Sequence, residues 1–175
     1  VAYDKVSSET KNPGLDASVG NTVLTVQNSE VLGNVYGGGY AFGHNAVAET
    51  ASAEMHFINS TVTGNVSTGG LTGENATSAT VKTASIALEN TTVSGALLLG
   101  GANTGTQGEK TGAEKVSSAT FTGVNSAATV SGKADAYTFN ATADNAEKAI
   151  FDAEGTLDAT GSTVTVNNVT GHTVI

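Results

Sequence analysis

Three asparagines, Asn28, Asn59 and Asn90, stand 31 residues apart, and a block of neighbours repeats with them. Val31, Val62 and Val93 keep the spacing, as do Gly33, Gly64 and Gly95. Leu24, Met55 and Ile86 match at the same offset, and so do Val26, Phe57 and Leu88. A register without gaps over so many positions narrows the fold sharply. One such unit cannot bury its own apolar face, whereas stacked units can. Within each unit the apolar residues lie two apart, at Leu24 and Val26, Met55 and Phe57, Ile86 and Leu88. Polar or small residues separate them, which is the period of a strand with one face inward.

The predicted fold is all-β: a single-stranded parallel β-helix (β-solenoid) with a 31-residue repeat. Each turn pairs with the next, and equivalent residues stack in ladders about 4.8 Å apart. Asn28, Asn59 and Asn90 mark a corner, because Asn tolerates a left-handed backbone. Their amides are expected to bond from turn to turn. Val31, Val62 and Val93 are expected to form an inward ladder. The glycines at Gly37–Gly39, Gly69–Gly70 and Gly100–Gly101 mark tight turns or close backbone approaches. Segments 46–54 and 77–85 are left to supply an extended third side. The alternative is a two-sheet sandwich, which requires no fixed period.

Beyond the third copy the repeat degenerates. Asn125-Ser126 with Val130-Ser131-Gly132 resembles the third unit with extra residues, and residues 164–171 resemble it with residues removed. The stretch 141–153 reads as a short helix or an insertion. The organisation is therefore an N-terminal segment or cap over 1–19, regular repeats over 20–107, and a degenerate continuation over 108–175.

Composition removes several function classes. The chain has no Cys, which excludes disulfides and thiolate metal sites. A net charge of -9 lacks the basic stripe that nucleic acid needs. No apolar run reaches the length of a membrane span. A single Pro and the alternating Val, Ile, Leu and Thr argue against a disordered stalk.

Polysaccharide cleavage needs carboxylates gathered on one face, and here the acids are scattered, with Glu30 and Glu54 not recurring. Glu54 and His56 fall on one face of a strand, as an acid–base couple, a fragment of a metal site or, more simply, a solvated pair. No catalytic, cofactor-binding or metal-ligating residue is assigned. Tyr36, Tyr40 and Phe42, with His44 beside them, are the candidate ligand contacts, since they cluster near glycines that expose backbone. Their alternative role is packing at the first turn. The segments 40–45, 71–75 and 102–110 follow the glycines and are expected to project as loops from one side.

The motif Asn-Ser-x-Val-x-Gly-Asn-Val-Tyr-Gly-Gly-Gly at Asn28–Gly39 resembles the repeats of bacterial autotransporter passenger domains. The run Asn-Thr-Thr-Val-Ser-Gly at Asn90–Gly95 is similar to them too. The resemblance covers residues 20–105, and the period is longer than is usual for that family. It implies a right-handed helix, secreted or displayed at the bacterial outer membrane as a virulence-associated adhesin. It implies contact with a host or bacterial surface protein or glycan, no cofactor, and no membrane insertion of this segment. The parent protein would be anchored through a separate membrane domain. A polysaccharide-active enzyme or a plain structural spacer are the other functions compatible with such a helix. Self-association is a further expectation, because a solenoid ends in unpaired strand edges.

Overall fold

The structure is a computed structural model. It describes residues 2–3, 16–73, 75–100, 113–143 and 147–168. The first full turn holds β2 (Asp16–Gln27), β3 (Glu30–Val31), β4 (Val35–Tyr36) and β5 (Tyr40–Phe42), with β1 (Ala2–Tyr3) before them. The second holds β6 (Val47–Ile58), β7 (Thr61–Val62), β8 (Val66–Ser67) and β9 (Leu71–Thr72). Next come β10 (Ser78–Glu89) and β11 (Thr92–Leu99), then β12 (Ala113–Thr122) and β13 (Asn125–Gly132). The series ends with β14 (Ala136–Asn140), β15 (Phe151–Glu154) and β16 (Thr163–Asn167).

Every pairing among the described residues is parallel, which is the mark of a solenoid and not of a sandwich. A long sheet runs β2-β6-β10-β12-β14-β16. A facing sheet runs β3-β7-β11-β13-β15, with β4 and β8 joining it along β11. A short sheet runs β1-β5-β9. The protein is thus a parallel β-solenoid. Across the first three rungs of the long sheet the register is the sequence period: Leu24 faces Met55, which faces Ile86.

Between the long and facing sheets lies the main core. Met55, Phe57, Ile86 and Leu88 are buried from the long sheet, and Val62, Val66, Val93, Leu97 and Leu99 from the facing one. Val31 opens the predicted valine ladder half-buried, in register with Val62 and then Val93. The lower core turns aromatic. The Phe121 ring lies 4.3 Å from that of Phe151 and 5.4 Å from that of Phe139, centroid to centroid.

A second, smaller core of Ala41, Ala46, Ala48, Ala76 and Ala79 separates the short sheet from the first half of β6 and β10. The glycine runs form the waist between the two cores. A Cβ on Gly38 would stand 2.6 Å from Val81 and 2.9 Å from the Gly70 nitrogen. A Cβ on Gly70 would stand 2.5 Å from the Gly39 carbonyl oxygen. Close backbone approach, rather than turning alone, is why these residues lack side chains.

The asparagine corner forms as expected. Asn28, Asn59 and Asn90 have φ of 50, 49 and 46°, in the left-handed region. Beside them runs an inward polar ladder. The Ser29 amide donates to Ser60 Oγ, the Ser60 amide to Thr91 Oγ1, and the Thr91 amide to Asn125 Oδ1.

Several expectations are corrected. The segments 40–45 and 71–75 are not free loops, since they contain β5 and β9, which pair Tyr40 with Leu71 and Ala41 with Thr72. The third such segment, 102–110, lies outside the described residues. The stretch 141–153, read as a short helix or an insertion, ends in a rung, β15, and its residues 144–146 lie outside the described residues. The first rung starts at Asp16, within the segment read as a cap.

Candidate functional site

The facing sheet bends where its register slips. Between Val93 and Ala96 of β11, two residues oppose the single Ala128 of β13. Between Ala127 and Thr129 the slip recurs against β15. Such bulges kink a strand and deepen its local twist. Two of them align on successive rungs, at Ala128. The result is an open groove of about 270 Å³ across β11, β13 and β15.

Its polar lining follows from the two-residue period of each strand. Thr92, Ser126 and Asp152 are in register and form one row along the axis. Ser94, Ala128 and Glu154 line the second side. The hydroxyls of Ser126 and Thr92 are 3.5 Å apart, at the limit of a hydrogen bond. Thr92, Asp152 and Glu154 are exposed, so they present free donors and acceptors to solvent. The inward neighbours Val93 and Ala127 belong to the core, which holds the floor of the groove in place.

The structure separates the aromatic candidates. Tyr36 lies on β4, in the facing sheet, and its hydroxyl accepts from Asn34 Nδ2 at 3.3 Å. Tyr40 and Phe42 lie on β5, in the short sheet, with ring centroids 6.0 Å apart. These two rings cover Gly73 of the next turn, where a Cβ would come within 2.5 Å of the Tyr40 hydroxyl. Phe42 is half-buried while Tyr40 and His44 are exposed, with His44 in the turn after β5. Tyr40 and Phe42 therefore pack the surface of the second turn, and Tyr36 faces a different side.

Glu54 and His56 do meet on the outer face of β6, with Oε1 and Nε2 2.8 Å apart. Both side chains are substantially exposed. No group of three or more His, Asp or Glu residues gathers as a metal site among the described residues. Lys115 pairs with Asp135 at 3.0 Å on the surface, a contact of small energetic weight.

Reading the sequence by repeats missed the groove. Its signal was present: the 31-residue register fails between Val93 and Ala127, where extra residues enter. Asp152 and Glu154, two apart beside the buried Phe151, were the strand-period mark of an outward acidic pair. The chain matches no protein-family model, no curated protein and no solved structure.

Proposed function

We propose that this chain is a rigid, non-catalytic display segment of a secreted or surface-exposed bacterial protein, acting as an adhesin. Its contact surface is the groove on the facing sheet, and its partner is a glycan or protein segment of a host or neighbouring cell. The observation that supports this reading is the alignment of Thr92, Ser126 and Asp152 on three successive rungs along the open groove. Each rung is hydrogen-bonded to the next, so the row is ordered before any ligand arrives. A partner then meets groups that need not be immobilised, which lowers the cost of binding. Hydroxyls and carboxylates are suited to the hydroxyls of a sugar and to the N–H groups of an extended peptide. The repeat motifs that resemble autotransporter passengers point to the same class.

One observation favours a second reading. Asp152 and Glu154 project from one strand face into an open groove, as a hydrolytic pair would. Both are exposed, however, whereas protonating a leaving group calls for a carboxyl held in a desolvated site. Binding is the better-supported use.

The test is a panel of immobilised bacterial and host glycans, probed with the wild-type chain and with Ala128→Trp. Ala128 is exposed, so the indole fills the groove without entering the core. The expected result is retention on a subset of glycans, lost in A128W, with no release of reducing ends. Retention that A128W leaves intact removes the groove from the reading. Release of reducing ends replaces display with hydrolysis.

A further inference from the structure

Among the described residues the long sheet ends in two rungs without an outer partner, β2 and β16, and they match each other. Val164 and Val166 of β16 stand in the core columns below Tyr137 and Phe139. Higher in those columns, Met55, Phe57, Ile86, Leu88, Ala119 and Phe121 are at most 2% exposed. Val164 is 49% exposed and Val166 38%. At the other end, Leu24 and Val26 occupy the same two columns on β2 and are only half-buried. The strand β1 pairs with β5 in the short sheet, and among the described residues no strand pairs with the outer edge of β2.

The two rungs also end alike. Val164-Thr165-Val166-Asn167-Asn168 follows the pattern of Leu24-Thr25-Val26-Gln27-Asn28. Asn168 has a φ of 59° and Asn28 one of 50°, so both rungs close on a left-handed corner. Asn167 Nδ2 donates to Asn140 Oδ1 at 2.9 Å, the same turn-to-turn amide bond that joins Asn59 to Asn28.

Natural edge strands are blunted with charge, Pro or a bulge. Neither the stretch 21–28 nor the stretch 163–168 contains any charged residue or Pro. Interior rungs of the same sheet carry Glu54, Glu89 and Lys115. On the open rungs the one charge is Asp16, at the far start of β2, and none lies in the stretches that would form the joint.

We infer that this chain associates head to tail, with β2 of a second copy adding as the next parallel rung after β16. In that joint Val164 meets Leu24, Val166 meets Val26, Asn168 meets Asn28, and Thr165 lies beside Thr25 of the other copy. The contact is heterologous, so it propagates into open chains and not into closed dimers. It uses the ends of the solenoid and leaves the groove free, so it stands or falls independently of the adhesin reading.

The test is analytical ultracentrifugation of the 175-residue chain over a wide concentration range, with charge-paired variants. Thr25 and Thr165 are exposed and lie five rungs apart within one molecule, at about 24 Å, so they cannot interact internally. The wild type is expected to grow in mass continuously with concentration. T25K/T165K places Lys beside Lys at every joint and should weaken association roughly fivefold. It also makes the chain less acidic overall, so a change in net repulsion would act in the opposite direction. T25E/T165K restores an attractive pair and should recover wild-type association or exceed it. Circular dichroism checks that each variant is folded. A wild type that stays monomeric overturns the inference, as does a mass that stops at two copies. Equal association by T25K/T165K and the wild type overturns it too.

Discussion

The side-chain amide of Asn59 donates to Asn28 Oδ1 at 3.3 Å, and that of Asn90 donates to Asn59 Oδ1 at 3.4 Å. Asn59 thus serves the corner twice, through its ladder bonds and through its left-handed backbone. Asn59→Ala removes both bonds and strains the backbone, at about 1–2 kcal/mol for a left-handed Ala and about 1 kcal/mol per lost bond. Asn59→Gly loses the bonds but keeps the conformation, so it should recover roughly half of that loss. Urea unfolding of both variants against the wild type separates the two contributions. Equal destabilisation by Ala and Gly would show that backbone conformation contributes nothing at this corner.

Gly64 sits under the preceding turn. A Cβ there would meet the Gly33 carbonyl at 2.5 Å and would also collide with Asn34 Oδ1. The same Asn34 oxygen accepts from the Asn65 amide at 2.8 Å, so it cannot move aside cheaply. Gly64→Ala should cost about 3 kcal/mol by forcing two rungs apart. Gly20→Ala, with nothing within 4 Å, should lie within about 0.5 kcal/mol of the wild type. Thermal melts of the two alanine variants check the contrast.

How far the sequence reveals this molecule depends on how strictly each rung repeats. Asn28, Asn59 and Asn90, the valine ladder and the glycine waist were legible because each column holds one chemical type at a constant offset. The legibility fails after β10. There β12 takes an extra residue at Ser117, whose hydroxyl donates to the Ala84 carbonyl at 3.0 Å. Ala119 then pairs with Tyr137, only eighteen residues on, because the chain returns to the long sheet by a shorter path. Aromatic rings crowd the lower columns at Phe121, Tyr137 and Phe139, where Phe57 alone stood among aliphatic residues above, so neither spacing nor residue type signals the register. The groove was hidden for the same reason: it exists where the repeat is broken. The strands β5 and β9 were read as loops because glycines and an exposed Tyr surround two or three residues of strand.

Tyr137 provides a handle on the lower rungs by pH. Its hydroxyl accepts from the Ala134 amide and donates to the Asp158 carbonyl, each at 2.9 Å. Burial, with a smaller contribution from the Asp158 carboxylate, raises its ionisation above the ordinary phenol value of 10.0. The unfolded chain therefore loses this proton before the folded one does. Its stabilising contribution is complete below the ordinary phenol value and declines as pH rises from there through the raised folded value. Tyr137→Phe should be less stable at neutral pH, because the Ala134 amide loses its partner, and should lack this part of the alkaline decline. Denaturant midpoints taken from neutral to strongly alkaline pH measure the difference. Parallel curves for the two proteins would remove Tyr137 from the alkaline transition.

Two buried threonines make opposite predictions for one substitution. Thr72 Oγ1 is buried with no hydrogen-bond partner. It carries the desolvation cost of a hydroxyl and gains nothing in return. Thr91 is equally enclosed, but its hydroxyl donates to the Glu89 carbonyl at 2.9 Å and accepts from the Ser60 amide at 3.4 Å. Valine matches threonine in shape, so the exchange isolates the hydroxyl in both places. Thr72→Val should raise stability by about 1 kcal/mol, since it deletes an unpaid polar group and leaves packing nearly unchanged. Thr91→Val should lower it by about 2 kcal/mol, because the Ser60 amide is left buried without an acceptor on that side. Equilibrium unfolding in urea, with equal slopes required so that the midpoints can be compared, decides both signs. A loss of stability in Thr72→Val would mean that this hydroxyl is satisfied in solution, by water or by a neighbouring segment.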